Sequence, residues 1–336
     1  MLNADNPGAR RLTRRDALTL GIGAFVVASI PLAARRPRQL VRRTVPVMGT
    51  LAELAVVGAD PRAAHAAIDA AIEELRRVDR LMTRFSASSE IGTANRLAAA
   101  RPVALGDATA AVLREALAWA EASDGAFDPA LGRAIGLWDV ARRRTPPSGA
   151  AVRPLAGRRL FQAVALDRWR GRPVVRFTDP DVALDLGGIA KGWGVDRAAD
   201  ALRAPGVTQA LVNVGGDLYA LGAAPDGAPW RIGIRSPEDP AALAGEVEVR
   251  DAAVATSGDY LQYFRWGGRR YHHLLDPATG APRVTPVRSV TVVAASCLAA
   301  DAAATAVFGM TPEHAARLLR VRAAGARLAS VIATEA

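Results

Sequence analysis

Between residues 44 and 57 the chain reads Thr-Val-Pro-Val-Met-Gly-Thr-Leu-Ala-Glu-Leu-Ala-Val-Val, an apolar-rich alternation that predicts a strand interrupted at Gly49. The period then lengthens. From Pro61 to Met82, the residues Ile68, Ile72, Leu75, Val78 and Met82 form a helical stripe, opened by Asp60-Pro61 in cap and first-turn positions. A second helix is expected from Ala108 to Ala122, capped by Asp107. Residues 123–139 read as a loop rich in Gly, Asp and Pro, and Arg142 to Arg153 as an exposed linker.

Short strands are expected near 162–167, 173–177, 182–186, 209–214, 217–222, 230–235, 246–250, 252–256 and 287–294, with one helix from about Ala190 to Arg203 among them. The carboxyl end gives an Ala-rich helix from Cys297 to Phe308, another from Pro312 to Arg322, and a last strand near 327–333. Adjacent strands with few intervening helices predict an α+β fold of mixed, largely antiparallel sheets with flanking helices, not a doubly wound nucleotide fold.

Composition narrows the function. Half of the 336 residues are hydrophobic, enough for a sizeable core and too many for a disordered chain. The single cysteine, Cys297, excludes an intramolecular disulfide and any multi-cysteine metal site, and four histidines leave little for a histidine cluster. The net charge of +10 looks like a nucleic-acid signal until the charges are located. Residues 1–43 hold nine arginines against Asp5 and Asp16, so only +3 remains for residues 44–336. With aromatics at 5% and no basic stripe beside them, nucleic-acid binding is not expected.

The amino terminus carries its own message. A positive region with Arg14-Arg15, an apolar run from Gly21 to Ile30, and Pro31-Leu-Ala-Ala34 resemble a twin-arginine export signal followed by a cleavage region. The alternative is an uncleaved anchor, since Ala17 to Ala34 is barely long enough to span a bilayer. Either reading divides the chain into a signal and linker at 1–43 and a folded body at 44–336. Both send that body to the periplasm or cell envelope.

Four polar constellations interrupt apolar surroundings. In Asp185-Leu-Gly-Gly188-Ile-Ala-Lys191-Gly a strand is expected to end and a helix to begin, and helix amides backed by the chain's only lysine suit a phosphate. The spacing is not that of a P-loop, and a plain structural turn is the alternative. Asp301-Ala-Ala-Ala-Thr305 puts a carboxylate and a hydroxyl one helical turn apart, a pair of hard ligands for Mg²⁺ or else a salt-bridged acid. Tyr271-His272-His273-Leu-Leu275-Asp276-Pro-Ala-Thr279-Gly280 offers an imidazole as base or phosphate ligand, although the Asp-Pro-x-Thr-Gly part reads equally as a self-satisfying turn. Ser123-Asp-Gly-Ala126-Phe127-Asp128-Pro is a polar loop with an embedded aromatic.

These residues occur in a recognisable order. Val47-Met48-Gly49-Thr50 comes first, then Phe85 with Ser88-Ser89-Glu90 and Asn95, then Gly125 to Pro129 with Trp138. Next come Asp185 to Gly192, Asn213-Val-Gly-Gly-Asp217, Thr256-Ser-Gly-Asp-Tyr260, His273 to Pro282, and Asp301 with Thr305. Over about residues 44–310 the chain resembles the ApbE family of FAD:protein FMN transferases. The resemblance implies Mg²⁺-dependent splitting of FAD, attachment of FMN to a Ser or Thr hydroxyl of a membrane or periplasmic redox flavoprotein, and release of AMP. It implies that Gly188 (through its carbonyl), Asp301 and Thr305 hold Mg²⁺. It also implies that Met48 and Phe85 line the isoalloxazine, and that Ala126, Phe127, Asp128, Asp185, Lys191 and Leu275 contact the rest of FAD. His273, with Lys191, is the candidate for the chemistry itself, and His272 beside it leaves that position ambiguous by one residue.

Phe85 stands where the family usually has tyrosine, so stacking survives without the hydroxyl. Two other functions fit the same residues: an Mg²⁺-dependent FAD pyrophosphatase giving FMN and AMP, and a non-catalytic exported flavin-binding protein.

Overall fold

The computed structural model describes residues 26–29, 39–58, 60–239, 241–260 and 262–334. The twin-arginine pair and the expected cleavage region lie outside these residues. The alternation at the start of the body forms two strands, not one. Strand β1 (Gln39–Val47) pairs antiparallel with β2 (Thr50–Gly58) in continuous register from Gln39 opposite Gly58 to Val47 opposite Thr50. Met48 and Gly49 link them, with φ of 52° and 71°. Two left-handed residues give a tight reversal whose twist matches the flanking strands. Methionine is an uncommon choice there, and its N–H is held by Asp79 Oδ2 at 3.1 Å. This strand starts at Gln39, ahead of residue 44.

Five further strands complete the main sheet: β3 (Ala210–Val214), β4 (Asp217–Leu221), β5 (Ala252–Gly258), β6 (Val287–Ala294) and β7 (Arg327–Ala333). They lie side by side in chain order, β7-β6-β5-β4-β3-β2-β1, and every neighbouring pair is antiparallel. Helix α1 (Pro61–Met82), α2 (Ala190–Arg203) and α3 (Cys297–Val307) cover one face, where Leu54, Ile72, Leu75, Val195, Leu202 and Val212 share a core. On the other face Trp230, Ile232, Val247 and Val249, from the strand pair Trp230–Arg235 and Leu243–Val249, pack on Leu211, Leu218 and Val254. Val26–Ser29 adds a third strand to that pair. The architecture is α+β with antiparallel sheets, as expected.

Small residues let α2 and α3 approach closely. A Cβ on Gly192 would lie 2.6 Å from the carbonyl carbon of Cys297. The run Ala302, Ala303, Ala304 and Ala306 is buried on all sides, which marks α3 as an internal helix. Its amino end is capped twice, by Ser296 Oγ and by Asp196 of α2, whose carboxylate accepts Cys297 N–H at 2.7 Å and Leu298 N–H at 2.9 Å. α2 therefore fixes where α3 begins.

Several local expectations are corrected. Residues 182–186 form no strand among the described elements. Leu131 bridges Ala183, and the Asn95 side chain takes the ladder's place, donating to Leu184 O (2.9 Å) and accepting from Leu184 N (2.6 Å). Within 123–139 a helix runs from Gly132 to Trp138. The supposed linker contains the helix Gly149–Val152, and Val152 and Leu155 are buried against Trp138, Phe264 and Leu275. Asp107 is the first helical residue and Gly106 the cap, its N–H held by Glu90 Oε2. A helix at Glu90–Leu97 and a hairpin of Tyr263–Trp266 with Arg269–His272 were not anticipated.

Candidate active site

Helices α2 and α3 and the start of β4 converge on Lys191. Its ammonium pairs with the carboxylate of Asp217 and lies 3.5 Å from Asp301 Oδ1. Asp301 Oδ2 accepts the N–H of Gly192 at 2.9 Å. Both acids are buried. Burial raises the pKa of each carboxylic acid, and Asp217 is raised further by Asp301, while Lys191 pulls both back. Burial works against the Lys191 charge as well, yet Asp217 and Asp301 together hold the ammonium above its ordinary value. Two buried carboxylates thus share one ammonium, an arrangement short of one positive charge.

Thr305 sits one turn beyond Asp301 on α3, with its Oγ1 3.4 Å from Ser257 Oγ. Gly188 faces it: a Cβ there would lie 3.1 Å from Thr305 Oγ1 and 3.2 Å from the Phe127 ring. Gly188, Asp301 and Thr305, the expected metal residues, are therefore brought together. Among the described residues no group of three or more His, Cys, Asp or Glu side chains forms a self-sufficient metal cluster. The donors here are a hydroxyl, a carbonyl and anionic oxygens with a charge deficit. That set fits a hard divalent cation completed by substrate oxygens. Asp217, which sequence reasoning left outside the site, belongs to it; the signal was its place after the Gly215-Gly216 turn, where φ is 64° and 103°.

The phosphate-cradle reading of the glycine run needs correcting. Four of its amides are already used inside the protein: Gly187 N–H by Asp185 Oδ1 (2.7 Å), Ile189 and Ala190 by the carbonyl of Leu186, and Gly192 by Asp301. The run serves close packing first. Asp185 is held from its other oxygen by Arg84 Nε at 2.5 Å, and the Arg84 guanidinium stacks 4.4 Å from the centre of the Phe85 ring. Phe85 is 79% exposed, an aromatic face offered to solvent. Met48 is half-buried and packs towards Gly194 of α2.

Around the loop at 123–130, Phe127 is buried beneath Gly188, where its ring packs against the glycine run. Asp128 accepts from Ala130 N–H (2.8 Å) and Phe161 N–H (3.4 Å), and burial pushes its carboxyl up to about 6. Ala126, Leu275 and Thr305 are joined by a residue that sequence reasoning missed. The Arg283 guanidinium donates to the carbonyls of Ala126 and Phe308, to Leu275 O at 3.1 Å and to Thr305 O at 3.4 Å. Burial lowers its pKa to about 10, which leaves it charged at neutral pH, and the end of α3 is a favourable place for that charge. No spacing rule marks it; it simply follows Pro282.

The two histidines separate cleanly. His272 is buried, its Nδ1 accepting Leu274 N–H at 3.2 Å and its Nε2–H donating to Arg283 O at 3.0 Å. Both nitrogens are occupied, so its role is structural. His273 is half-buried, and its Nδ1 lies 3.4 Å from the carbonyl of Gln262. A carbonyl can only accept, so Nδ1 carries the proton and Nε2 keeps its lone pair. Burial, His272 and Lys191 lower the pKa of His273 to about 4.

The model of the ApbE family matches residues 48–328. An FAD:protein FMN transferase of Vibrio cholerae is 34% identical over 295 residues, covering 86% of this chain and 87% of that protein. One from Treponema pallidum is 36% identical over 291 residues, covering 82% and 80%. The crystal structure of the ApbE protein of Thermotoga maritima superposes with a TM-score of 0.78 at 29% identity, covering 88% of this chain and 97% of that one. The flavin transferase ApbE from Vibrio cholerae gives 0.73 at 32%, covering 85% and 91%.

Proposed function

Because the chain belongs to the ApbE family, we propose that it moves FMN from FAD to a Ser or Thr hydroxyl of an acceptor flavoprotein, in an Mg²⁺-dependent reaction that releases AMP. That it is a flavin transferase with FAD as substrate follows from its kinship with FAD:protein FMN transferases over most of its length. The proposal adds the metal, the acceptor hydroxyl and the leaving AMP. The observation that carries them is the sharing of one ammonium, Lys191, by two buried carboxylates, Asp217 and Asp301.

When bound, Mg²⁺ would be held by Asp301, Thr305 and the Gly188 carbonyl, and would neutralise charge on the diphosphate oxygens. The chain's own residues supply the rest. Lys191 is a second positive charge for the same oxygens. Phe85 presents a stacking face to the isoalloxazine, with Arg84 behind it. His273 Nε2 takes the proton from the acceptor hydroxyl as its oxygen bonds to the FMN phosphorus. The bond between that phosphorus and the bridging oxygen breaks, and AMP leaves with that oxygen.

The test is intact-mass measurement of a candidate acceptor after incubation with the protein, FAD and Mg²⁺. The expected result is an FMN adduct on the acceptor and AMP in solution, both lost with a chelator or in Asp301→Ala. Free FMN with no labelled acceptor would mean that water is the acceptor and the protein a pyrophosphatase. FAD binding with neither an FMN adduct nor free FMN would mean a simple flavin binder, and adduct formation retained in Asp301→Ala would take the metal role away from that acid.

The cellular site is part of the same proposal. It rests on Arg14-Arg15 and the apolar run that follows, and it places the body in the periplasm or cell envelope, where membrane or periplasmic acceptors would be reached. Cell fractionation with and without Arg14→Ala/Arg15→Ala checks it.

A further inference from the structure

A second imbalance of charge lies beyond the Lys191 centre, and its sign is opposite. Arg235, Arg265, Arg270 and Arg288 line a cavity of about 360 Å³ together with Glu238 and Tyr263. Two of the arginines are firmly built in. Arg288 Nε donates to both oxygens of Asp259 at 2.8 and 2.9 Å, and Arg270 Nη1 reaches the same carboxylate at 3.3 Å. Arg270 also lies over the Tyr263 ring, 4.3 Å from its centre. Side-chain exposures of 14% for Arg288 and 20% for Arg270 take both guanidinium groups largely out of water. Leaving Arg235 aside, the three guanidinium groups of Arg265, Arg270 and Arg288 therefore meet two described carboxylates, Asp259 and Glu238. Like charges partly withdrawn from solvent repel one another, and an entering anion relieves that repulsion.

The cavity adjoins the transfer centre. Gln262 stands next to Tyr263 in the wall, and its carbonyl accepts the backbone N–H of His273 at 3.2 Å as well as the ring Nδ1–H. Tyr263 pairs with His272 across the hairpin. An occupant of the cavity is thus one strand away from the imidazole. The guanidinium forks suit planar carboxylates, which they bind two hydrogen bonds at a time. On the flavin-transfer reading the diphosphate of FAD has its partner at Lys191, which does not line this cavity.

We propose that this arginine cavity docks an acidic segment of the acceptor protein, one that carries Asp or Glu side chains close to the hydroxyl to be modified. The acceptor's part rests on the flavin-transfer reading; the cavity's preference for carboxylates does not. The experiment is fluorescence anisotropy with the full chain and two labelled threonine-containing peptides, one bearing aspartates and the other asparagines at the same positions. The aspartate peptide is expected to bind the more tightly, with an affinity that falls as salt is raised.

Arg265 is exposed, so Arg265→Glu is a variant that should fold. It is expected to weaken the aspartate peptide about tenfold or more. Arg62→Glu, at an exposed arginine of α1, is expected to change nothing. Equal binding of the two peptides, binding of neither, or an equal loss in Arg62→Glu overturns the proposal. So does a raised KM for FAD in Arg265→Glu, which would assign the cavity to the dinucleotide. Failure of the flavin-transfer reading would show itself separately, as the absence of any FMN adduct while the peptide preference persists.

Discussion

Lys191 Nζ lies 3.5 Å from Asp301 Oδ1 while making its closer pair with Asp217. One lysine thus ties the first turn of α2 to both α3 and β4. It is also the only lysine in the chain, whose other 42 basic residues are arginines. A guanidinium fork needs planar partners, whereas an ammonium can bridge two carboxylates from different elements.

Replacing Lys191 with Met should leave two buried carboxylates with no cation between them. Breaking a buried ion pair costs about 3–5 kcal/mol. Mg²⁺ should restore part of that loss, because a ligand that binds the folded state stabilises it. Thermal melts with Mg²⁺ and with a chelator check this. Lys191→Met is expected to gain more from Mg²⁺ than the wild type does, and an equal gain in both would separate the cation from these acids.

Gly192 tests the helix pair. A Cβ there meets backbone, 2.6 Å from the carbonyl carbon of Cys297 and 2.8 Å from Leu298 Cα, and backbone cannot rotate away. Gly192→Ala should push α2 from α3 and carry Asp301 away from Lys191. The expected cost is about 3 kcal/mol or more, at the upper end for overpacking, seen as a lowered melting point with loss of FAD turnover. Gly206→Ala is the contrast: its Cβ would meet nothing within 4 Å, so only its φ of 89° is a burden.

These positions show how much of the molecule its sequence disclosed. The helix at Pro61–Met82 follows from apolar spacing and its Asp60-Pro61 start, because it buries one stripe on the sheet, and the one at Cys297–Val307 follows from its run of alanines, which suits a helix buried on all sides. The i, i+4 rule put Asp301 and Thr305 one turn apart, as they are on α3. Asp217 and Arg283 were not, because what makes them important is who faces them across the fold, and no local spacing encodes that. Residues 142–153 misled for a related reason. Their Arg-Pro-Ser-Gly composition is that of a linker, but Val152, with Leu155 just beyond the segment, is buried in one cluster with Trp138 and Leu275.

Arg283 should matter through geometry more than through charge. Arg283→Met would leave four buried or half-buried carbonyls, those of Ala126, Leu275, Thr305 and Phe308, without this donor. Unsatisfied buried acceptors cost about 1–3 kcal/mol each, and carbonyls with other partners sit at the low end, so about 3 kcal/mol in all is expected by denaturant titration. Arg283→Lys keeps a cation but cannot reach all four. It should regain much of the stability while the KM for FAD stays raised, since the Ala126 loop and Leu275 lose their common tether. Full recovery of both by lysine would show that only charge was needed.

His273 offers the sharpest test of the chemistry. Its folded pKa of about 4 lies below the ordinary histidine value, so the imidazole is neutral through the physiological range with Nε2 open to accept a proton. As pH falls towards about 4, Nε2 is protonated and the base is lost. Transfer measured by FMN adduct in single turnover at saturating Mg²⁺ should therefore carry a His273 limb only below about 5, in contrast to an ordinary histidine near 6.5. A limb nearer neutrality belongs to the raised acids Asp217 and Asp301 and survives in His273→Asn. Stability follows the same sign. The unfolded state binds more protons than the folded state between the two pKa values, so this group's contribution is intact above about 6.5 and is lost as pH falls through about 4. His273→Asn can still donate to the Gln262 carbonyl but has no base. It should keep the melting point and FAD affinity while transfer falls about 10²–10⁴-fold. His272→Asn should do the reverse, losing stability because Leu274 N–H and Arg283 O lose their ring partners. If His273→Asn kept both its rate and the limb below about 5, the proton would have to go elsewhere.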